Sequence, residues 1–225
     1  MVEFLRYFWD YRSEVYWLTQ EHLAMTATAL GLAVTIALPL GIAASRLPRL
    51  RFVIVWLAGL GQTVPSLALL GLLMPFLGIG PPLAVAALTV RAVLPILVNT
   101  CTGILEVSQS IIEAARGMGM TGRQILTRIE LPLAAPLIAA GVRTAAVQCV
   151  SIATLAAFVG AGGLGDLIFQ GILEVSTPKL LLGVIPAGIL ALSADYLLGL
   201  AERWLTPRGL RAPQPQQRGS TSALS

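Results

Sequence analysis

The sequence predicts an all-α membrane protein with about five transmembrane helices, and three observations support that prediction. Charged residues make up only 12% of the 225 residues and hydrophobic residues 56%, whereas charged residues are about 25% of an ordinary soluble domain. Several uncharged runs reach about 18 residues or more, which is enough to cross the hydrocarbon core of a bilayer. The basic residues lie between and after these runs, as the positive-inside rule expects of cytoplasmic loops.

The chain divides into three predicted parts. Residues 1–22 are rich in aromatic residues alternating with charges, which favours a short interfacial helix lying on the membrane. A disordered leader is the alternative for this part. Residues 23–205 form the transmembrane domain. Residues 206–225 are rich in Pro, Gln, Ser and Gly, which predicts a disordered cytoplasmic tail.

The five predicted spans place the N-terminus outside the cell and the C-terminus in the cytoplasm. Their approximate ranges are 23–45, 52–77, 83–105, 133–159 and 180–200. A Gly-Ile-Gly-Pro-Pro turn signal separates the second span from the third, and a run of glycines ends the fourth. Residues 160–178 are too short and too rich in glycine to cross the membrane. They are expected to form a loop with a short helix on the outer face.

Two arginines fall inside predicted spans. Arg91 lies about 13 Å along the third span and Arg143 a similar distance along the fourth. A charge at that depth is costly, so both side chains should face protein or water. Arg143 is expected to find a partner within the bundle. Two interpretations of Arg91 stay open, a snorkelling or bundle-facing side chain and a role along a substrate path.

The residue types needed for catalysis or metal binding are sparse. The chain has one histidine, His22, and two cysteines, Cys101 and Cys149, which fall inside spans and are expected to be packing residues. No cluster of His, Cys and carboxylates predicts a metal site, and no nucleotide-binding motif is present. The sequence therefore predicts neither an enzyme nor a nucleic-acid-binding protein, but a protein whose surroundings are membrane lipid.

The longest polar interruption is the cytoplasmic loop 106–132. Its composition predicts two short helices, about 110–116 and 123–130, joined by glycines and bounded by Pro132. Within it, Glu113-Ala114-Ala115 is followed after three residues by Gly119 and after nine more by Ile129-x-Leu131-Pro132. This spacing resembles the coupling loop of binding-protein-dependent ABC importer permeases.

Other segments resemble the osmoprotectant branch of that family, which transports glycine betaine, choline, carnitine or proline betaine. These segments include Gln62-Thr-Val-Pro65-Ser66, Asn99-Thr100 and the glycine-rich stretch that ends at Asp166. The chain departs from the branch pattern at Arg91, where a tyrosine is expected, and at Val98, where an arginine is expected. An importer of methionine or another amino-acid-type solute is the alternative within the family, and a secondary carrier is the alternative outside it.

The resemblance implies a type I ABC importer permease fold in the bacterial cytoplasmic membrane. It implies a cytoplasmic ABC ATPase that docks on the loop and binds ATP and Mg, a periplasmic or lipid-anchored solute-binding protein, and a second permease copy, identical or homologous. The permease itself would bind no cofactor. The implied coupling-loop residues are Glu113, Ala114, Ala115, Gly119, Ile129, Leu131 and Pro132. The candidates for a substrate path or gate are Gln62, Pro65, Ser66, Arg91, Asn99 and Thr100.

Overall fold

A computed structural model describes residues 8–205, apart from the side chains of Leu50 and Ala58. The N-terminal half contains α1 (Arg12–Arg46), α2 (Pro48–Thr63), α3 (Ser66–Leu77) and α4 (Pro81–Leu105). The cytoplasmic segment contains α5 (Gln109–Gly117), α6 (Gly122–Ile125) and a π-helical turn (Leu126–Glu130). The remainder contains α7 (Leu131–Ala153), a 3₁₀ helix (Thr154–Val159), α8 (Leu164–Leu173) and α9 (Thr177–Leu205).

Among the described residues, four continuous helical stretches are long and apolar enough to cross a membrane. They are Arg12–Arg46, Pro81–Leu105, Gly122–Val159 and Thr177–Leu205. Helices α2 and α3 qualify as a fifth span when they are taken together. The prediction of an all-α membrane protein with about five spans is therefore confirmed.

Helix α1 passes through residue 22 without a break. It contains 35 residues, which is about 52 Å of helix at 1.5 Å per residue. Residues 12–22 are thus the first turns of the first span, and the expected separate helix is absent from that range. No glycine or proline interrupts them, so nothing in the local sequence ends the helix at residue 22. Residues 1–7 and the predicted tail, 206–225, lie outside the described residues.

The second span, expected as one helix over 52–77, is broken. Helices α2 and α3 are bent by 103° relative to each other. The break falls at Val64, whose backbone is extended with φ −68° and ψ 123°, immediately before Pro65. A proline disfavours helical geometry in the residue before it and supplies no N–H itself, which explains a break at this dipeptide.

The cytoplasmic loop contains one separate helix rather than two. Helix α5 matches the first prediction closely, but the helix that starts after Thr121 continues through the π-helical turn into α7. Pro132 was expected to bound it and does not. In the π-helical turn the N–H of Leu131 donates to the carbonyl of Leu126, five residues back, so the chain enters α7 on a wider turn. Pro132 then occupies the first turn of α7, where proline is tolerated.

The centre of the bundle is built from small residues on α1. Ala29, Ala33, Ala37 and Gly41 recur every four residues along one face, and the three alanines are fully buried. They pack against α4 and α7 in a core that includes Leu88, Ala92, Ile96, Ala145 and Cys149. Small side chains let membrane helices approach closely, and dispersion contacts then hold them together. Cys101 and Cys149 are free and buried, in agreement with their predicted packing role.

Arg143 has the partner that the sequence predicts. Its Nε donates to Oδ1 of Asp195 at 2.6 Å and its Nη2 to Oδ2 at 2.8 Å, while Nη1 donates to Glu202 at 3.3 Å. Both acids lie on α9. The guanidinium sits against Gly199, where a Cβ atom would come within 3.2 Å of Arg143 Cζ. This paired arrangement ties α7 to α9 at low electrostatic cost.

Gly41 lies where α1 closely approaches α4. A Cβ atom at this position would lie 2.7 Å from Cβ of Thr100 and 3.0 Å from the carbonyl oxygen of Leu97. We predict that Gly41→Ala lowers stability by about 1–3 kcal/mol, the usual cost of overpacking a well-packed core. Thermal unfolding in detergent measures the effect.

Gly31→Ala is the matched control, because Gly31 lies on the same helix and a Cβ atom added there would meet no other atom within 4 Å. That variant should be neutral or slightly stabilising, since alanine is the better helix former. Equal melting temperatures for the two variants would contradict the packing argument.

Candidate coupling and gate sites

Helix α5 presents a defined surface to the cytoplasm. Ile112 and Ala115 are buried, whereas Glu113 and Ala114 are exposed. The buried pair joins a small apolar core with Val107 and Ile125, against which Met120, Ile129 and Leu133 pack. The Glu-Ala-Ala sequence therefore contributes both to the exposed surface of α5 and to the apolar core beneath it. The first two residues are available for contact, and the third anchors α5 to the start of the next helix.

The turn after α5 depends on Gly119 and Thr121. Gly119 has φ +78°, a backbone conformation that favours glycine. Thr121 caps the following helix: Gln124 N–H donates to Thr121 Oγ1 at 3.4 Å, and Thr121 N–H donates to Gln124 Oε1 at 2.8 Å. This reciprocal capping box satisfies two backbone N–H groups that a helix start leaves free. Gly119, like Glu113 and Ala114, is exposed.

The Ile129-x-Leu131-Pro132 motif forms the junction between the cytoplasmic segment and α7. Ile129 and Leu131 are half-buried and Pro132 is exposed. The residue between the two apolar positions is Glu130, and its side chain is only 2% exposed. Arg46, the last residue of α1, donates to both carboxylate oxygens of Glu130, with 3.0 Å between Nη1 and Oε1. No sequence pattern assigned a role to either residue of this pair.

A basic recess of about 520 Å³ opens beside this junction. Arg46, Arg116 and Arg123 contribute its three positive charges, and Glu130 contributes its one carboxylate. Two arginines of the loop and the last residue of α1 thus lie around one recess.

A second site lies at the break between α2 and α3. Arg91 is ten residues after the start of α4, about 15 Å along that helix and close to the middle of a bilayer. Its Nη1 donates to the carbonyl oxygens of Gly61 and Gln62 at 3.2 and 3.1 Å, and its Nη2 donates to Ser66 Oγ at 2.8 Å. Arg91 therefore binds the end of α2 and the start of α3 at once.

These hydrogen bonds explain how the break is tolerated. The last carbonyls of a helix have no partner within it, and an unsatisfied backbone group is costly inside a membrane. Arginine supplies several donors in a rigid fork, which suits two carbonyls and a hydroxyl. The bundle-facing interpretation of Arg91 is the one that this geometry matches, and a role at a gate remains compatible with it.

The break also borders open space. A groove of about 250 Å³ is lined by apolar side chains of α1, α2 and α4 together with Gly61, Gln62 and Arg91. Of the predicted path candidates, Gln62, Pro65, Ser66 and Arg91 thus come together at one place.

Asn99 and Thr100 lie elsewhere, about two turns nearer the cytoplasm on α4. Thr100 is fully buried against Gly41 and donates to its own helix at the carbonyl of Ile96. Asn99 donates to the carbonyl of Pro95 and packs at Gly141. In this conformation both residues serve helix packing, because small residues on α1 and α7 bring the backbones close at these points.

A third polar cluster, at the outer end of the bundle, was not predicted as a site. The N–H of Gly163 donates to the carboxylate of Glu21 at 3.1 Å, and His22, fully buried, donates from Nε2 to the carbonyl of Val150 at 3.0 Å. Burial, with a smaller contribution from the negative charge of Glu21, raises the pKa of the Asp166 carboxyl above its ordinary value. The only sequence signal was the glycine run before Asp166, which by itself predicts no more than a loop.

Comparison with known proteins identifies the family. Residues 29–209 match the family model described as a binding-protein-dependent transport system inner membrane component. The chain belongs to this family.

Permeases of known systems are similar over nearly the whole chain. A carnitine transport permease protein of Listeria monocytogenes is 44% identical over 194 residues, covering 86% of this chain and 88% of that relative. A glycine betaine/carnitine/choline transport system permease protein of Bacillus subtilis is 41% identical, covering 88% and 91%. An osmoprotectant import permease protein of Salmonella typhimurium is 40% identical, covering 86% and 93%.

The fold also matches solved transporters. A structure described as an inward-facing conformation of the MetNI methionine ABC transporter aligns with a TM-score of 0.76 at 26% identity, covering 84% of this chain and 94% of that one. An amino acid ABC transporter aligns with a TM-score of 0.73 at 20% identity, which supports the fold alone. The protein is the permease subunit of an ABC importer, and the secondary-carrier alternative is set aside.

For this permease, Arg91→Met is the sharpest test of the break. The change keeps an apolar chain but leaves two backbone carbonyls and a hydroxyl without their donor. Each of these groups that water does not reach then costs about 1–3 kcal/mol. We expect solute uptake in proteoliposomes to fall at least tenfold, with faster proteolysis near Val64.

Ser66→Ala removes one of the three hydrogen bonds and leaves the two backbone carbonyls with their donor. Its loss of uptake should therefore be several-fold smaller than that of Arg91→Met. Wild-type uptake by the Arg91→Met variant would show that the break does not depend on Arg91.

Proposed function

We propose that this permease imports an osmoprotectant carrying a quaternary ammonium group, of the glycine betaine, carnitine or choline type. The observation that supports this most is the 40–44% identity to permeases named for these solutes, over 86–88% of the chain. The structural likeness to the methionine transporter, at 26% identity, favours the second candidate, an importer of methionine.

In this proposal ATP is hydrolysed in a separate subunit, which binds ATP and Mg, and this chain binds neither. The exposed face of α5, with Glu113 and Ala114, is the docking surface for that ATPase. The packing of α5 supports this proposal, because its buried side chains join a small apolar core that fixes the position of the helix. Closure of the two ATPases on ATP would draw the coupling segments together and change which side of the membrane the pore faces.

Two further partners belong to the proposal. A second permease copy, identical or homologous, completes the pore within the bacterial cytoplasmic membrane. A periplasmic or lipid-anchored binding protein delivers the solute to the outer face. The break at Val64–Pro65 would then be the gate, because irregular backbone at membrane depth is tolerated where protein or a water-filled cavity covers it. Gln62 and Ser66 are the polar groups closest to that gate.

Docking is tested by co-purification from the native membrane in mild detergent. Ala114→Trp places a bulky side chain on the exposed face of α5 without entering the core below it. We expect the recovered ATPase subunit to fall at least tenfold, which requires binding to weaken by at least about 1.4 kcal/mol.

Thr177→Trp is the matched control, because Thr177 is equally exposed but lies at the outer end of the bundle. That variant should retain the ATPase. If Ala114→Trp retains as much ATPase as the control, the docking surface is elsewhere.

The solute is tested by competition for uptake. Labelled glycine betaine should enter proteoliposomes that contain the permease with its ATPase and binding protein. Uptake should require ATP on the side of the membrane where the ATPase lies. Unlabelled carnitine or choline should compete with it, and methionine should not. Competition by methionine alone would reverse the order of the two candidates.

A further inference from the structure

Glu130 is the buried acid of the cytoplasmic segment. Its side chain is 2% exposed, at the end of the π-helical turn that leads into α7. A buried carboxylate is costly unless a cation pairs with it and its oxygens accept hydrogen bonds. π-helical turns are rare and are frequently found at functional sites. Glu130 therefore combines a buried charge, which is energetically costly, with a rare backbone conformation.

Arg46 and Glu130 form a two-point ion pair, which is called the clamp below. Both terminal nitrogens of the guanidinium donate, one to each carboxylate oxygen. Such two-point contacts between arginine and a carboxylate fix orientation as well as distance, and lysine cannot reproduce them. The Arg46 side chain is 44% exposed and the Glu130 side chain 2%, so the arginine end of the clamp is accessible and the carboxylate end is buried.

We propose that the Arg46–Glu130 pair is the link through which movement of the cytoplasmic segment reaches α1. This inference rests on the proposed docking of an ATPase at α5. Through Ile112 and Ala115, α5 shares one apolar core with Ile125 of α6. Displacement of α5 therefore moves the π-helical turn, and the clamp passes that movement to the end of α1.

From α1 the movement has a direct route to the break in the second span. The small-residue face of α1 packs closely on α4, with Gly41 against Thr100. Arg91 on the same α4 holds the end of α2 and the start of α3. Arg46 and Glu130 are thus positioning residues, which act on the gate through other residues and touch no solute.

The competing explanation is that the pair only stabilises the fold. The two differ in what they predict for coupling, the number of solute molecules imported for each ATP hydrolysed. A fold-only role lowers the amount of intact complex but leaves this ratio unchanged in the complex that remains. A transmission role lowers the ratio itself.

The experiment uses the whole transporter, purified with its ATPase and reconstituted with its binding protein, and measures ATP hydrolysis and uptake in the same vesicles. Glu130→Gln removes one charge at nearly constant size, and Arg46→Gln removes the other charge with a shorter polar side chain. We expect ATPase recovery close to that of the wild type, with the coupling ratio reduced at least fivefold in each. The double variant should be no worse than either single variant, since contacting residues give non-additive effects.

Arg49→Gln is the matched control, because Arg49 is an exposed arginine in the first turn of α2, three residues from Arg46. Its coupling ratio should equal that of the wild type. Arg46→Lys keeps the charge but loses the fork, and its ratio should fall between the wild type and Arg46→Gln. This milder variant remains informative if the glutamine variants fail to fold.

Two results would overturn the inference. One is a wild-type coupling ratio in Arg46→Gln or Glu130→Gln, or in Arg46→Lys where those variants do not fold. The other is additive losses in the double variant, which would show that the two side chains act independently. Failure of the proposed function looks different, because the wild-type permease itself would then be recovered without an ATPase.

Discussion

A single constraint governs this bundle, namely that each backbone polar group at membrane depth must find a partner within the protein. Continuous helices meet it automatically, and α1, α4 and α7 do so over most of their length. The break at Val64–Pro65 does not. Arg91 donates to two backbone carbonyls at the end of α2 and to the hydroxyl of Ser66 at the start of α3. The broken second span is therefore held by one side chain that lies on a neighbouring helix.

Close packing of α1 on α4 holds in place the helix that carries Arg91. The alanines of α1 allow contact along several turns, and Gly41 extends the contact to Thr100 near the cytoplasm. The same helix ends at Arg46, beside the buried carboxylate of Glu130. Helix α1 thus lies between the segment proposed to dock an ATPase and the helix that carries Arg91, which gives the two distant sites a common structural element.

The sequence predicted features that are local or that depend on run length. The approximate spans, the turn before α4, the helix predicted over 110–116 and the need of Arg143 for a partner all follow from neighbouring residues. The break was missed because a lone Pro65 within an uncharged run is a weak signal, and prolines do occur within spans. The pairing of Arg46 with Glu130 was missed because the residues are 84 positions apart and no pattern marks them. The π-helical turn was missed as well, because no local motif marks it.

The arginines at depth differ in a way that matters for an energised membrane. Arg143 is paired with Asp195 and Glu202, so the group of three side chains has no net positive charge to move through the field. Arg91 is held by neutral oxygens, and none of the ion pairs among residues 8–205 includes it. One charge crossing the full membrane changes energy by about 2.3 kcal/mol per 100 mV. A transition that moves Arg91 along the membrane normal would therefore draw on the membrane voltage as well as on ATP, and an interior-negative potential would favour the state in which Arg91 lies nearer the cytoplasm.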